Sequence, residues 1–304
     1  AIDRFWSSLE KDGAYLSMII KPIDSLRARK LELEILKSFH LPADKAYLVN
    51  EEWKRLTRGE KGEKNTAYLL DFFLDDKKNW VLIHDLRLDY KGKVAQIDHL
   101  IITRALDIYV LETKAYGDKL HILDDGSFIA SYGKKEFSVP SPLEQNKRHL
   151  HILEKAIQPL LPKRLGVTLQ PLVESYVLVD ESTILKRSKT FDSSHVVKAE
   201  QFLSKLDEKY DALNVGEVLT KASKLISQKS VKDFAKAIAD LHCKSTTNYK
   251  ERFGITDDDQ KEAEPTCKGC GGQVTSKNIS FCTTFNERFK GHTYCFNCQK
   301  SIVG

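Results

Sequence analysis

Cysteine is missing from residues 1–242, and several other absences narrow the field before any motif is considered. No apolar run approaches the roughly 18 residues needed to span a bilayer, which disfavours a membrane protein. Met18-Ile19-Ile20 is short and surrounded by charged residues, unlike the core of a secretory signal. A dominant charge is also lacking. The chain has 48 Lys and Arg against 43 Asp and Glu, a net charge of +5. This excludes a uniformly basic binding protein and a strongly acidic one, yet permits a nucleic-acid partner. There is no internal repeat and no coiled-coil heptad. Gly59-Glu60-Lys61-Gly62-Glu63-Lys64 lacks the spacing and the Ser/Thr of a phosphate loop, and its glutamates would repel phosphate. No nucleotide-hydrolysis motor is therefore expected, and there is neither a dinucleotide fingerprint nor a nucleophile elbow.

What is present suits a folded α/β protein. Of 304 residues, 41% are hydrophobic, enough for a core and for about two domains by length. Residues 1–58 read as a helical leader, with Leu26, Leu33 and Leu36 at helical spacing. A helix is expected over Glu60–Leu74, followed by a polar turn at Asp75–Asn79 and strands at Trp80–Ile83 and Leu86–Leu88. Tyr90-Lys91-Gly92-Lys93 reads as a hairpin turn before strands at Val94–Thr103 and Asp107–Lys114. Two short strands follow, then a helix opened by Pro142 and an apolar strand at Val173–Val179. This order predicts an α/β domain with a mixed sheet flanked by helices over residues 59–180. Residues 181–256 read as a helical extension, with helices at 196–211 and 217–242, the second rich in lysine. Asp257 through Glu264 reads as an acidic linker to a small module, giving a last region at 257–304.

Two charged segments stand out on apolar strands. Asp98 lies mid-strand, and Glu112 and Lys114 share one face of the next strand because side chains alternate. Burying such groups is costly unless they pair or hold a metal. Converging carboxylates suit a hard divalent cation, which can polarise a phosphoryl oxygen and activate water, while a lysine stabilises developing charge. Glu63 shares an inward helix face with Ala67 and Leu70. It also suits the negative-charge preference of a helix N-terminus, an explanation that needs no metal. His99, pointing away from Asp98, reads as a packing residue. Asp85 is placed near the site, and Asp107 and Asp118 read as turn or strand-edge residues.

Gly59–Glu63, Gln96-Ile97-Asp98-His99, Leu111-Glu112-Thr113-Lys114 with Gly117, and Pro142-Leu143-Glu144-Gln145 together resemble the successive motifs of the nuclease-related domain, or NERD, family. That family is itself similar to the restriction-endonuclease-like PD-(D/E)xK phosphodiesterases. The resemblance covers about residues 59 to 180. It implies a mixed sheet flanked by helices and a catalytic set of Glu63, Asp98, Glu112, Lys114 and Gln145. Asp98 and Glu112 would ligate Mg2+ or Mn2+, Glu63 would assist, Lys114 would position the nucleophile, and Gln145 would hydrogen-bond near the site. Ile97 stands where the PD motif has proline, a variable position in that group.

The cysteines carry a separate message. Cys267-Lys268-Gly269-Cys270 and Cys295-Phe296-Asn297-Cys298 are two thiolate pairs, and four sulfurs complete a tetrahedral Zn2+ site. Short strands are expected near Gln273–Thr275 and Ile279–Phe281. The stretch is similar to zinc ribbons appended to some topoisomerases and nucleases. Cys282 and His292 are outsiders to the four-sulfur set, and Cys243 reads as a lone thiol. Crowding of cysteine into one end fits a reducing, cytoplasmic compartment rather than a disulfide scaffold. Lys268, Lys277, Arg288, Lys290 and Lys300 offer a basic surface for DNA, with the module's aromatics mostly assigned to its core.

The combined expectation is a metal-dependent nuclease hydrolysing DNA. The rivals are a non-catalytic DNA-binding protein with the same fold and a partner-recruiting protein that docks a helicase or another subunit. Domain company suggests bacterial DNA processing or defence.

Overall fold

The apolar runs assemble into a six-stranded sheet. The computed structural model describes residues 18–74, 77–245, 247–260 and 266–303. Residues 1–17 of the helical leader, Asp75 and Asp76 of the polar turn, and 261–264 of the acidic linker lie outside the described residues. Two compact units are present: one holds the described residues through Leu26 and from Arg55 to Ser245, the other holds Arg27–Lys54 and the residues from Thr247 onward.

In chain order the first unit has β1 (Ile19–Lys21), β2 (Trp80–Tyr90), β3 (Lys93–Thr103) and β4 (Asp107–Lys114). A small sheet follows with β5 (Lys119–Ile122), β6 (Phe128–Tyr132) and β7 (Lys135–Val139). Beyond a two-residue hairpin of β8 (Lys163–Arg164) and β9 (Val167–Thr168) come β10 (Leu172–Val179), β11 (Ile184–Lys186) and β12 (Val196–Lys198). The central sheet runs β1-β2-β3-β4-β10-β12. β2, β3 and β4 are antiparallel neighbours, whereas β1 joins β2, and β10 joins β4 and β12, in parallel. β11 adds to the small sheet in the order β11-β5-β6-β7.

Helices cover both faces, which explains why these strands are apolar almost throughout. Helix α1 (Arg27–Ser38) belongs to the second unit, and α2 (Ala43–Leu74) crosses the division at Lys54 and Arg55. Leu70 and Leu74 of α2 pack on one face of the sheet with Phe202 and Leu206 of α4 (Ala199–Asp211); α3 (Pro142–Ile157) precedes α4 in the chain. Ile152, Leu153 and Ile157 of α3 pack on the other face. They are joined there by Val231, Phe234 and Ile238 of α6 (Gln228–Ala239), which follows α5 (Val215–Ser223). Helix α3 starts at Pro142 because Ser141 caps it, its side chain accepting from the Glu144 N–H.

Several expectations change. The helix expected to begin at Glu60 is the second half of α2, since Gly59 and Gly62 are tolerated inside a long helix whose apolar face is anchored on the sheet. The segments Trp80–Ile83 and Leu86–Leu88 form one strand. Residues 196–198 extend the sheet before α4 begins. The lysine-rich helix is two helices separated by Lys224–Ser227. Lys221 turns inward to a buried ion pair with Asp107, which also accepts from Tyr210 Oη at 2.7 Å, so Asp107 is more than a strand-edge residue.

The continuity of β2 depends on one residue. Val81 and Ile83 share a core with Leu86 and Leu88, although strict alternation would put the two pairs on opposite faces. Asp85 shifts the phase by adopting φ +52°, a left-handed conformation that aspartate tolerates better than most residues. Across the register, Leu100 and Ile102 share that core with Ala95 and Ile97, so β3 changes phase at Asp98.

In the second unit, α7 (Tyr249–Arg252) packs its buried Tyr249 with α1: Arg29 Nε donates to Tyr249 Oη at 3.0 Å and the Tyr249 N–H to Glu32 at 2.8 Å. Lys45 pairs with Asp259 at 2.6 Å and Arg252 with Glu52 at 3.0 Å. Asp259, expected in a linker, is therefore tied into this packing. The cysteine region contributes α8 (Ser276–Thr284), α9 (Asn286–Phe289) and α10 (Phe296–Val303). The strand expected at Ile279–Phe281 lies inside α8, because Thr275 and Asn278 form a reciprocal capping box that starts a helix there. Phe281, Phe285 and Phe296 are exposed, and Phe289 is the buried aromatic.

Candidate active site and cysteine cluster

The ladder between β3 and β4 ends at His99 opposite Leu111. One residue further the strands part, and the Asp98 side chain replaces the backbone as acceptor: its Oδ2 takes the Thr113 N–H at 2.7 Å. Asp85 and Asp98 both fall between the His84–His99 and Leu86–Ile97 pairs, and Glu112 follows Leu111, where the β3–β4 ladder ends. Glu63 approaches from α2. Its cheaper explanation, a helix N-terminus, is removed because Glu63 lies in the interior of α2.

Glu112 is the best-held member. Its Oε1 accepts from Lys114 Nζ at 2.6 Å and from Gln145 Nε2 at 2.7 Å. Its Oε2 is buried without a hydrogen-bond donor, 3.4 Å from His149 Nδ1, which is near enough for charge attraction but outside hydrogen-bond geometry. Burial opposes ionisation of Glu112, yet His149 and Lys114 outweigh it and keep the carboxyl below its ordinary range. Asp98 goes the other way. Burial, then the charges of Glu112 and Glu63, push it well above its ordinary value. Glu63 is raised by burial, then by Asp85 and Glu112. Burial and neighbouring carboxylates, Glu112 among them, thus oppose ionisation of Asp98 and Glu63, leaving a donor set short of positive charge. A hard divalent cation fits that deficit and the orphaned Glu112 oxygen. The oxygens do not yet crowd together: among the described residues, the grouped metal-ligating atoms within 4.8 Å of one another are the four cysteine sulfurs.

Glu63, Asp98, Glu112, Lys114 and Gln145 are thus gathered at one end of the sheet. His149 was missed, although its signal was available one turn after Gln145 on the same helix face. Asp85 is held by three neighbours: its carboxylate accepts from Gln96 Nε2 and from the Asp24 N–H at 3.0 Å, and its carbonyl from Lys21 at 2.9 Å. His99 does pack, but within a polar chain. Asp71 contacts His84 Nε2 at 3.0 Å, the two histidine Nδ1 atoms lie 2.7 Å apart, and His99 Nε2 lies 3.2 Å from Thr113 Oγ1. Gly117 has φ +71°, and an added Cβ would meet the Tyr132 ring at 2.3 Å, so only glycine fits this turn after β4.

Residues 58–179 match the family model of the nuclease-related domain, NERD. The matched segment spans α2 from Arg58 through β10 and so contains all five gathered residues. Its mixed sheet flanked by helices is compatible with the restriction-endonuclease-like fold. An uncharacterized protein of Bacillus anthracis is 28% identical over 114 residues, covering 36% of this chain and 50% of that protein. The chain thus spans about half the length of the curated relative it matches. No solved structure matches. No helix among the described residues is long and apolar enough to cross a membrane.

Outside the matched segment, the sulfurs of Cys267, Cys270, Cys295 and Cys298 lie within 4.8 Å of one another, an arrangement that can hold zinc. The pairs approach closely because residue 269 is glycine: a Cβ there would meet Cys298 Sγ at 3.0 Å. Hydrogen bonds with the thiols of Cys267, Cys270 and Cys295 push Cys298 up to about 12. Cys282 and His292 are outside the cluster. Cys282 is buried and instead receives the Tyr294 N–H and Gln299 Nε2, both at 3.3 Å. Cys243 contacts Arg87 through its thiol.

Proposed function

We propose that the protein is a nuclease that hydrolyses DNA phosphodiester bonds with the help of Mg2+ or Mn2+. The observation that carries this reading is that Glu63, Asp98, Glu112 and Lys114 lie near one another where β3 and β4 part, with Asp98 and Glu63 held above their ordinary range by burial and neighbouring carboxylates while Glu112, paired with Lys114, is held below its own. Asp98 and Glu112 would hold the divalent ion, with Glu63 assisting. The ion would supply Lewis-acid activation of the phosphoryl group and of water. The chain's own residues do the rest. The Thr113 N–H fixes the Asp98 carboxylate, and Gln145 and Lys114 fix the Glu112 Oε1 orientation. Lys114 Nζ supplies positive charge beside the position where phosphoryl charge grows. The four cysteines would carry structural Zn2+, and the lysines and arginines of that module would add phosphate contacts.

One observation favours a second reading, a non-catalytic DNA-binding or partner-recruiting protein: the three carboxylates lack the close grouping that the cysteines have. Cleavage separates the two. The intact chain is incubated with plasmid, linear duplex, single-stranded and branched DNA in Mg2+, Mn2+ or EDTA. Cutting that EDTA stops, and that Glu112→Ala and Lys114→Ala abolish, supports the nuclease. Variants that cut as fast as the parent sink it; binding without cutting over long incubation supports the second reading.

A further inference from the structure

A cationic groove lies on the same side of the sheet as α3, away from the carboxylates. A cavity of about 310 Å³ is lined by Tyr90, Lys91, Lys93, His151, Ile152 and Lys155, between the tip of the β2–β3 hairpin and the second half of α3. It shares His151 and Lys155 with a neighbouring cavity of about 380 Å³, where Glu154 is the acidic lining residue. Lys91, Lys93, His151 and Lys155 are all exposed. The nearby Asp89 is occupied by the hairpin turn, its Oδ1 accepting the Gly92 N–H at 2.9 Å. Arg148, His151 and Lys155 recur at i, i+3 and i+7, so an exposed basic stripe runs along α3 from the residue beside His149 to the groove. These exposed cations outnumber the nearby Glu154 and give this part of the surface a positive potential that attracts anions.

The spacing suits an extended polyanion. Lys155 is ten residues from Gln145 on one helix, or about 15 Å at 1.5 Å per residue. Lys93 is five residues from Asp98 on one strand, about 17 Å at 3.4 Å per residue. Both distances are well within one turn of duplex DNA, about 34 Å, so a duplex that reaches the carboxylates is long enough to cover the groove as well. We infer that this groove holds the phosphodiester backbone of a nucleic-acid duplex within one helical turn of the bond at the carboxylates. Lys91, Lys93 and Lys155 would contact phosphates, with Arg148 and His151 between groove and site. The inference rests on the reading of this chain as a protein that acts on nucleic acid.

The test is binding of the intact chain to a fluorescein-labelled 20-base-pair duplex, in EDTA, followed by anisotropy from 50 to 200 mM salt. The variant is Lys91→Glu/Lys93→Glu/Lys155→Glu; the charge-matched control is Lys134→Glu/Lys186→Glu/Lys189→Glu in the same unit. All substituted lysines are exposed, and unchanged melting verifies folding. The groove variant should bind at least tenfold more weakly, with a log–log salt slope shallower by about 2 to 3, as expected for three lost phosphate contacts. The control should stay near the parent. Parent-like binding by the groove variant, or equal losses in both, overturns the inference. A Mg2+ cleavage arm keeps the two readings apart. If the parent cuts but the groove variant binds normally, only the groove fails. If the groove variant loses binding while the parent never cuts, only hydrolysis fails. If the parent binds no duplex, both fail.

Discussion

Asp98 accepts the backbone N–H of Thr113 at the point where β3 and β4 stop pairing, so a carboxylate completes the sheet that it also opens. Its raised pKa has a thermodynamic consequence. A carboxyl raised by folding stabilises the native state below its ordinary value of 3.8, and that contribution is lost as pH rises through the native value. At neutral pH, without a divalent ion, Asp98 therefore costs stability. Asp98→Asn keeps an acceptor for Thr113 and should melt a few degrees above the parent in EDTA. Mg2+ should raise the parent's melting temperature more than the variant's; equal shifts would remove Asp98 from the ion's ligands.

Gln145 should matter through Glu112. Gln145→Leu removes one of the two donors to Glu112 Oε1 and leaves the helix face intact. Loss of a partner that orients a ligating carboxylate typically costs about 10- to 100-fold in activity or metal affinity. Steady-state cleavage and Mg2+ titration should both show it, and parental values would reduce Gln145 to packing.

The histidine pair predicts acid sensitivity. Burial, then His84, holds His99 well below its ordinary 6.5, and burial also lowers His84 despite the counteracting Asp71. With neutral rings, one proton arrangement satisfies every contact: Thr113 Oγ donates to His99 Nε2, His99 Nδ1 to His84 Nδ1, and His84 Nε2 to Asp71. Below pH 6.5 the unfolded chain takes up protons that the folded chain refuses, so stability falls by up to about 1.4 kcal/mol per histidine per pH unit. Urea unfolding between pH 7 and 5 should be markedly steeper in pH for the parent than for His99→Asn. Matching slopes would place the protons elsewhere.

Breaking the Asp107–Lys221 pair should be costly. Their side chains are 4% and 11% exposed, and Lys221→Met leaves a buried carboxylate with Tyr210 alone of these two donors. The expected loss is about 3 to 5 kcal/mol, largely recovered in Asp107→Leu/Lys221→Met. Chemical denaturation measures both. A single variant as stable as the parent would show that the pair contributes little.

Metal analysis should find one zinc per chain, and Cys270→Ser/Cys295→Ser should lose it. Hydrogen exchange should then rise across α8 to α10 while β2 to β4 stay protected. Retained zinc in that variant would exclude the four-sulfur site.

Much of the sheet was legible because its determinants are local. The apolar stretch Asp107–Lys114, the hairpin at Lys91-Gly92 and the helix start at Pro142 each follow from neighbouring residues. β12 was hidden because three residues before a helix carry too little pattern, and β2 was split in two because its alternation breaks at Asp85. The continuous α2 was hidden by Gly59 and Gly62, whose local penalty is overridden by packing against the sheet.

The sequence by itself determined which residues could do chemistry: three acids, a lysine and a glutamine in motif order, and four cysteines in two pairs. Their types and spacings are chain properties, readable without a fold. Only tertiary structure decided that Glu63 belongs to a helix interior, that Glu112 shares donors with Gln145 and lies beside His149, and that Lys221 is buried while Lys91, Lys93 and Lys155 share a groove. Those facts depend on where strands separate and helices cross, set by long-range burial rather than by the order of neighbouring residues.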